Sequence, residues 1–261
     1  MAAATRVERL QEARAFALEA SGLSRRFGAL SAVEDIDLSI RAGERHAVLG
    51  SNGAGKTTLF NLISGDFPPS SGRIRFFGED VTAMPVHERI RRGLRRTYQI
   101  SQLFQGLTIF ENLYLATRGV TRGRYSLRRG GANDAAHADT ERLLHAVNLE
   151  DQRDVRVAEL SHGQQRQLEI GMALAGAPRL VLLDEPAAGL SPAERRDLIA
   201  ILTSLPAHIG YIIIEHDLDV ALRVAERVTM MHNGRIFLTG TPAEIEANAR
   251  VQEIYLRGAH G

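Results

Sequence analysis

The sequence predicts an α/β fold: a core with a mainly parallel sheet, an antiparallel β subdomain ahead of it and a helical subdomain inserted into it. Three observations predict it. Leu180 to Leu183 and Tyr211 to Ile214 are short, wholly apolar runs, the pattern of parallel strands buried on both faces. Phe16 and Leu18, then Val33, Ile36, Leu38 and Ile40, approximate a period of two, as in antiparallel strands. Between these regions, from about Thr97 to Ala158, the pattern is mainly helical.

In chain order, the antiparallel region ends in the turn Arg41-Ala42-Gly43, and His46 to Leu49 reads as a short buried strand. A Gly-rich loop follows, then a helix with apolar positions at Leu59, Phe60, Leu62 and Ile63, ended by Pro68, Pro69 and Gly72. Ile74, Phe76 and Phe77 are strand-like, and Pro85 opens a basic helical stretch through Arg96. The Gly- and Arg-rich piece Gly119 to Asn133 reads as a mobile loop within the helical insertion. The helix after Pro192 separates the two apolar strands, which implies right-handed crossovers in a doubly wound sheet. The expected division is an extension at 1–15, one domain at 16–257 and a tail at 258–261. Within that domain the core comprises 16–96 and 166–257, and the helical subdomain about 97–165.

A chain of 261 residues suits one large domain carrying an insertion. With 44% apolar and 24% charged residues it has the balance of a globular protein, which argues against disorder or fibre. The net charge of +1 provides no overall field to gather nucleic acid. Without cysteine there are no disulfides, thiolate metal sites or cysteine nucleophiles. Arg6, Glu8, Arg9, Glu12 and Arg14 interrupt any signal-like apolar centre. No apolar run approaches the roughly 20 residues that cross a bilayer, so a membrane link is expected to go through partners.

The strongest chemical signal is Gly50-Ser51-Asn52-Gly53-Ala54-Gly55-Lys56-Thr57-Thr58, a phosphate-loop pattern placed between a strand and a helix. Its glycines let successive N–H groups close around phosphate oxygens, and the helix N-terminus adds its positive end. Lys56 is expected to reach the β- and γ-phosphates, and Thr57 to place its hydroxyl on Mg²⁺. Such a loop alone leaves kinases, GTPases and ATPases open. Downstream, Leu180-Val181-Leu182-Leu183-Asp184-Glu185 offers Asp184 as a second Mg²⁺ ligand and Glu185 as the group that orients and deprotonates water. No guanine-reading Asn-Lys-x-Asp is present.

The segment Leu160-Ser161-His162-Gly163-Gln164-Gln165 resembles the LSGGQ signature of ATP-binding cassette (ABC) proteins, with His162 in place of the first glycine. It reads as a second helix N-terminus, with the Ser161 hydroxyl and Gly163 N–H free to receive a γ-phosphate. His162 reads as an exposed substitution. The resemblance implies that Gln99 touches metal and lytic water, that His216 contacts the γ-phosphate and that Phe27 stacks on adenine. Ser191 stands where many cassettes have aspartate, so the resemblance does not carry over the usual carboxylate contact across the dimer and leaves a hydrogen bond from Ser191 as the alternative. Phe60-Asn61-Leu62-Ile63-Ser64-Gly65, Leu107-Thr108-Ile109-Phe110-Glu111-Asn112 and the tail Val251 to Leu256 look most like ATPases of branched-chain amino-acid and urea-type importers.

What the resemblance implies is an ATPase using ATP and Mg²⁺, paired with a second ABC ATPase subunit and bound to permease subunits. A solute-binding protein is an indirect partner, and the place is the cytoplasmic face of the inner membrane. Permeases are expected to dock near Gln99, in a groove lined from Tyr98, Ile100, Leu103, Phe104, Leu107 and Phe110. The arginines at 89, 91, 92, 95 and 96 read as a solvated face, and nucleic acid is not an expected partner. The alternative within the family is a non-transport cassette acting on nucleic acid or ribosomes.

Overall fold

The computed structural model describes residues 15–97, 103–120 and 135–257. Strands β1 (Phe16–Phe27) and β2 (Leu30–Arg41) form a long antiparallel hairpin, extended by β4 (Ser71–Phe76) and β5 (Glu79–Asp80) into a sheet of order β2-β1-β4-β5. The second sheet contains β3 (Arg45–Gly50), β6 (Leu94–Arg96), β7 (Leu180–Asp184), β8 (Gly210–Glu215), β9 (Arg227–His232) and β10 (Arg235–Gly240), in the order β10-β9-β3-β8-β7-β6. All its pairings are parallel except β10 with β9.

Alternation along the central strands divides the core in two. Val48, Leu180, Leu182, Ile212 and Ile214 join α1 (Lys56–Ser64) and the antiparallel sheet on one face. Ala47, Leu49, Val181, Leu183, Tyr211 and Ile213 join the helices of the other face. Those are α3 (Ile109–Val120), α4 (Ala135–Ala146), α5 (His162–Leu174), α6 (Pro192–Ser204) and α7 (Leu218–Val224). With both faces covered, nearly continuous apolar strands are what the sheet requires. Two further helices, α8 (Pro242–Glu246) and α9 (Ala249–Arg257), close the described chain.

Three expectations change. The helix opened by Pro85, α2, spans only Val86–Arg91. Gly93 then turns the chain at a φ of 98°, and Leu94–Arg96 pairs with Leu180–Leu182 as the sheet's edge strand. Short-range helical pattern gave way to an open sheet edge. Of the five arginines read as a solvated face, Arg91 is exposed, whereas the other four are turned inward or paired. Arg89 is fully buried and donates to the carbonyls of Leu62, Ile63, Met84 and Thr82, capping the last turn of α1. Arg92 pairs with Glu79, and Arg95 donates to the Ile90 and Leu94 carbonyls. Phe77, expected in a strand, sits in a turn at φ 48°. Residues 121–134, most of the expected mobile loop, lie outside the described residues, as do 1–14 and 258–261.

Candidate active site

The parallel strands deliver their C-terminal ends to one edge of the sheet, where α/β folds bind ligands. There β3 passes through the loop 50–58 into α1, and Gly55 serves as its N-cap at φ 96°, a left-handed conformation that glycine tolerates. A Cβ on Gly50 would meet the Met231 carbonyl, so the loop backbone lies flush against β9. Lys56 is buried and folds over the loop, its Nζ 2.6 Å from the Gly50 carbonyl and 3.1 Å from that of Ser51. Burial pushes its ammonium pKa down, against the pull of Glu185, Asp184 and Glu215.

An open cleft of about 610 Å³ runs along the loop, lined by Asn52, Gly53, Ala54, Gly55, Lys56, Thr57, Thr58 and Glu185. Leu30, Ser31, Ala32, Asn233 and Gly234 line its opposite side. Sequence reasoning missed these five. The available signal was Asn233-Gly234, whose φ values of 47° and 75° match a two-residue hairpin turn. That turn braces the loop: Gly234 N–H donates to the Ala54 carbonyl at 3.0 Å, and Glu34 N–H to the Gly234 carbonyl at 2.8 Å.

Asp184 ends β7 almost fully buried. Its Oδ2 accepts from Arg96 Nη2 at 2.9 Å, while its Oδ1 is buried without a hydrogen-bond partner. Burial raises its pKa, and Arg96 opposes the rise. Arg96 also reaches Asp66 at 2.7 Å, linking the end of β7 to the turn after α1. An orphaned carboxylate oxygen and the cleft-facing Thr57 fit Mg²⁺, a hard cation bound by few protein ligands alongside phosphate and water. No cluster of three or more His, Asp or Glu suited to a metal occurs among the described residues.

Glu185 holds a φ of 46°, uncommon for a residue with a side chain, and its N–H donates to the Ile214 carbonyl at 3.0 Å. Strain of this kind gathers at functional sites. Beside it, Glu215 at the end of β8 is fully buried and was not anticipated from sequence. Its Oε1 accepts from Ala187 N–H at 2.9 Å, and its Oε2 has no hydrogen-bond partner. Burial pushes its pKa up to about 7, against the Ala187 hydrogen bond and with Glu185 adding to the rise. His216 follows with its side chain largely exposed, 4.0 Å from Glu215.

Ser161 caps α5: its Oγ accepts from Gln164 N–H at 3.2 Å and Gln164 Oε1 accepts from Ser161 N–H at 2.8 Å. The donors expected to be free are engaged. Gly163 N–H lies 2.9 Å and Ser161 Oγ 3.3 Å from Oε1 of Glu194, a residue that sequence reasoning passed over. Ser191 caps α6 in a second capping box with Glu194. His162 is exposed, its Nε2 3.3 Å from the Ala188 carbonyl.

Phe27 lies at the β1–β2 turn, half exposed, edge-on to Phe67 at 5.5 Å with Arg25 over both rings; its pairing partner Leu30, not Phe27, lines the cleft. Gln99 lies outside the described residues, as do Tyr98 and Ile100. A mainly apolar groove is lined by Leu103 of the expected set together with Ile90, Ala116, Val120, Met172 and Ala173, and is edged by Arg95, Arg96, Thr97 and Glu169. Phe104 is exposed, and Phe110 packs on the core under Arg153.

Residues 33–188 match the ABC transporter family. The chain is 36% identical over 252 residues to the high-affinity branched-chain amino acid transport ATP-binding protein BraF of Pseudomonas aeruginosa, covering 92% of this chain and 97% of that protein. It is 32% identical to the lipopolysaccharide export system ATP-binding protein LptB of Haemophilus influenzae, covering 92% and 96%. The crystal structure of the ADP conformation of MJ1267, an ATP-binding cassette of an ABC transporter, superposes with a TM-score of 0.82 at 29% identity, covering 92% of this chain and 98% of that one. With a phosphate loop, a paired acidic strand end and a second helix N-terminus on this fold, the chain belongs to the ABC transporter family as an ATP-binding, ATP-hydrolysing subunit.

Proposed function

We propose that this chain binds Mg·ATP along the phosphate loop and closes on it against Ser161 and Gly163 of a second copy or a homologue. Hydrolysis then drives import of amino acids, urea or similar small polar solutes through permease partners. The observation that carries the catalytic reading is Glu185, which follows the buried Asp184 and lines the same cleft as Lys56 and Thr57. Loop N–H groups and Lys56 hold charge already present on the triphosphate, whereas Glu185 and His216 act on charge that moves during the reaction. Bound Mg²⁺ would offset charge on the β- and γ-phosphates, with Thr57, Asp184 and Gln99 as its protein ligands.

The amino-acid reading is supported by the similarity to the branched-chain amino acid transport ATP-binding proteins of P. aeruginosa and of Escherichia coli, the latter 33% identical. The direction of transport rests on the sequence resemblance alone, since the export ATPase of H. influenzae is 32% identical. The groove around Leu103 and Met172 is the docking surface for a permease, since it is mainly apolar and borders the segment leading to Gln99. No described helix is long and apolar enough to cross a membrane, so attachment at the inner face of the membrane is through permeases.

The test is reconstitution of the chain with candidate permease subunits and a solute-binding protein in proteoliposomes. Solute-loaded binding protein is expected to raise ATP turnover, and Glu185→Gln to cut it about 10²- to 10⁴-fold while preserving ATP binding. Near-normal hydrolysis by Glu185→Gln would remove that residue from the catalytic role. Turnover indifferent to every amino acid and urea would overturn the solute assignment alone.

A further inference from the structure

We propose that Glu194 is an internal anion that occupies the phosphate-receiving edge of Ser161 and Gly163 and must yield that edge to the triphosphate held by a facing copy. The proposal rests on the head-to-tail reading above and specifies how its signature half-site is regulated.

Three observations carry it. Glu194 Oε1 accepts from both donors assigned to the incoming phosphate, Gly163 N–H at 2.9 Å and Ser161 Oγ at 3.3 Å. The fit is close, because a Cβ on Gly163 would collide with the Glu194 carboxyl group itself. The other oxygen, Oε2, accepts from Ser191 N–H at 2.9 Å, so one carboxylate joins the N-terminal ends of α5 and α6. Hydrogen bonds from Ser191 and Gly163 hold its pKa below the usual range, so it is ionised at neutral pH.

The chemistry is competitive. Gly163 N–H carries a single hydrogen, and a carboxylate oxygen and a phosphate oxygen cannot both take it at full strength. Two anions at one positive helix end also repel each other. Glu194 is only partly buried, so its side chain has room to turn aside while Ser191 retains its helix cap. Ser191 closes the loop that begins at Glu185, so displacing the carboxylate also frees one tie between that loop and α5.

The experiment measures ATP-dependent dimerisation by sedimentation in a Glu185→Gln background with Mg²⁺ present, comparing Glu194, Glu194→Gln and Glu194→Ala. Removing the competing charge is expected to lower the half-saturating ATP concentration for the dimer by about two- to five-fold per site in both variants. Gln at this position still completes a capping box, so Glu194→Gln carries the test even if Glu194→Ala loosens α6. If Glu194→Ala raises the ATP requirement and Gln restores it, Glu194 is a brace and the proposal is overturned; an unchanged requirement in both variants overturns it as well. Absence of any ATP-dependent dimer in all three proteins would instead bring down the head-to-tail reading, and this proposal with it.

Discussion

At the residue scale, the C-terminal ends of β7 and β8 crowd three carboxylates, Asp184, Glu185 and Glu215, against the buried Lys56. Glu215 bears the largest consequence. Its pKa of about 7 in the folded chain, against an ordinary value of 4.5, means that the folded state holds a proton the unfolded chain has released between those pH values. Stability therefore falls as pH rises through this window, is greatest in this respect below pH 4.5, and levels off above about 7. Ionising the group inside the fold costs on the order of 3 kcal/mol, and Glu215→Gln is expected to abolish that slope. Urea unfolding of the nucleotide-free protein from pH 5 to 8 measures it; parallel profiles for the two proteins would show that Glu215 does not titrate there. Asp184, Glu185 and Lys56 were legible in the sequence because phosphate chemistry needs those groups at fixed spacings from a strand end. Glu215 and Glu194 were not, since the groups they meet, Ala187 and Gly163, are 28 and 31 residues away in the chain.

At the scale of elements, the β9–β10 hairpin turn supports the phosphate loop more than the hairpin itself. Gly234 has a φ of 75°, and a Cβ there would come 2.9 Å from the Ala32 carbonyl. Gly28, in the β1–β2 turn, has a φ of 59° with nothing within 4 Å of such a Cβ, which makes it the natural control. Gly28→Ala is expected to cost about 1–2 kcal/mol for the left-handed backbone alone. Gly234→Ala should cost more, and should also weaken ATP binding, because relieving the clash moves the N–H that holds Ala54. Equal unfolding midpoints and equal nucleotide affinities for the two variants would refute the bracing role. Elements buried on both faces, β7 and β8, were readable from composition because nothing polar interrupts them. The edge strand β6 was not: Leu94-Arg95-Arg96 has no strand pattern of its own and is extended because β7 offers it a free ladder.

At the scale of the whole molecule, the phosphate loop and the signature edge line separate clefts with no residue in common, one bounded by Lys56 and Glu185, the other by Ser161, Gly163 and Glu194. In the proposed head-to-tail pair, a complete site therefore takes its loop from one chain and its signature from the other. Changing Lys56→Ala spoils the loop half of both sites in a homodimer, and Ser161→Ala spoils the signature half of both. A mixed dimer is different. It pairs the intact loop of the Ser161→Ala chain with the intact signature of the Lys56→Ala chain, giving one whole site and one that is damaged twice. An equal mixture forms mixed dimers in half its pairs, each with one whole site of two, so turnover should rise towards about a quarter of the unmodified rate if sites act independently. That lies above the average of two nearly inactive parents, and the excess should peak at equal amounts and vanish at either extreme. Nucleotide binding to the single chain separates the halves further, since Lys56→Ala removes the cation that meets the phosphates and Ser161→Ala leaves that cleft intact. Turnover that follows the simple average at every ratio would mean that each chain completes its own site, and the two clefts would need another account.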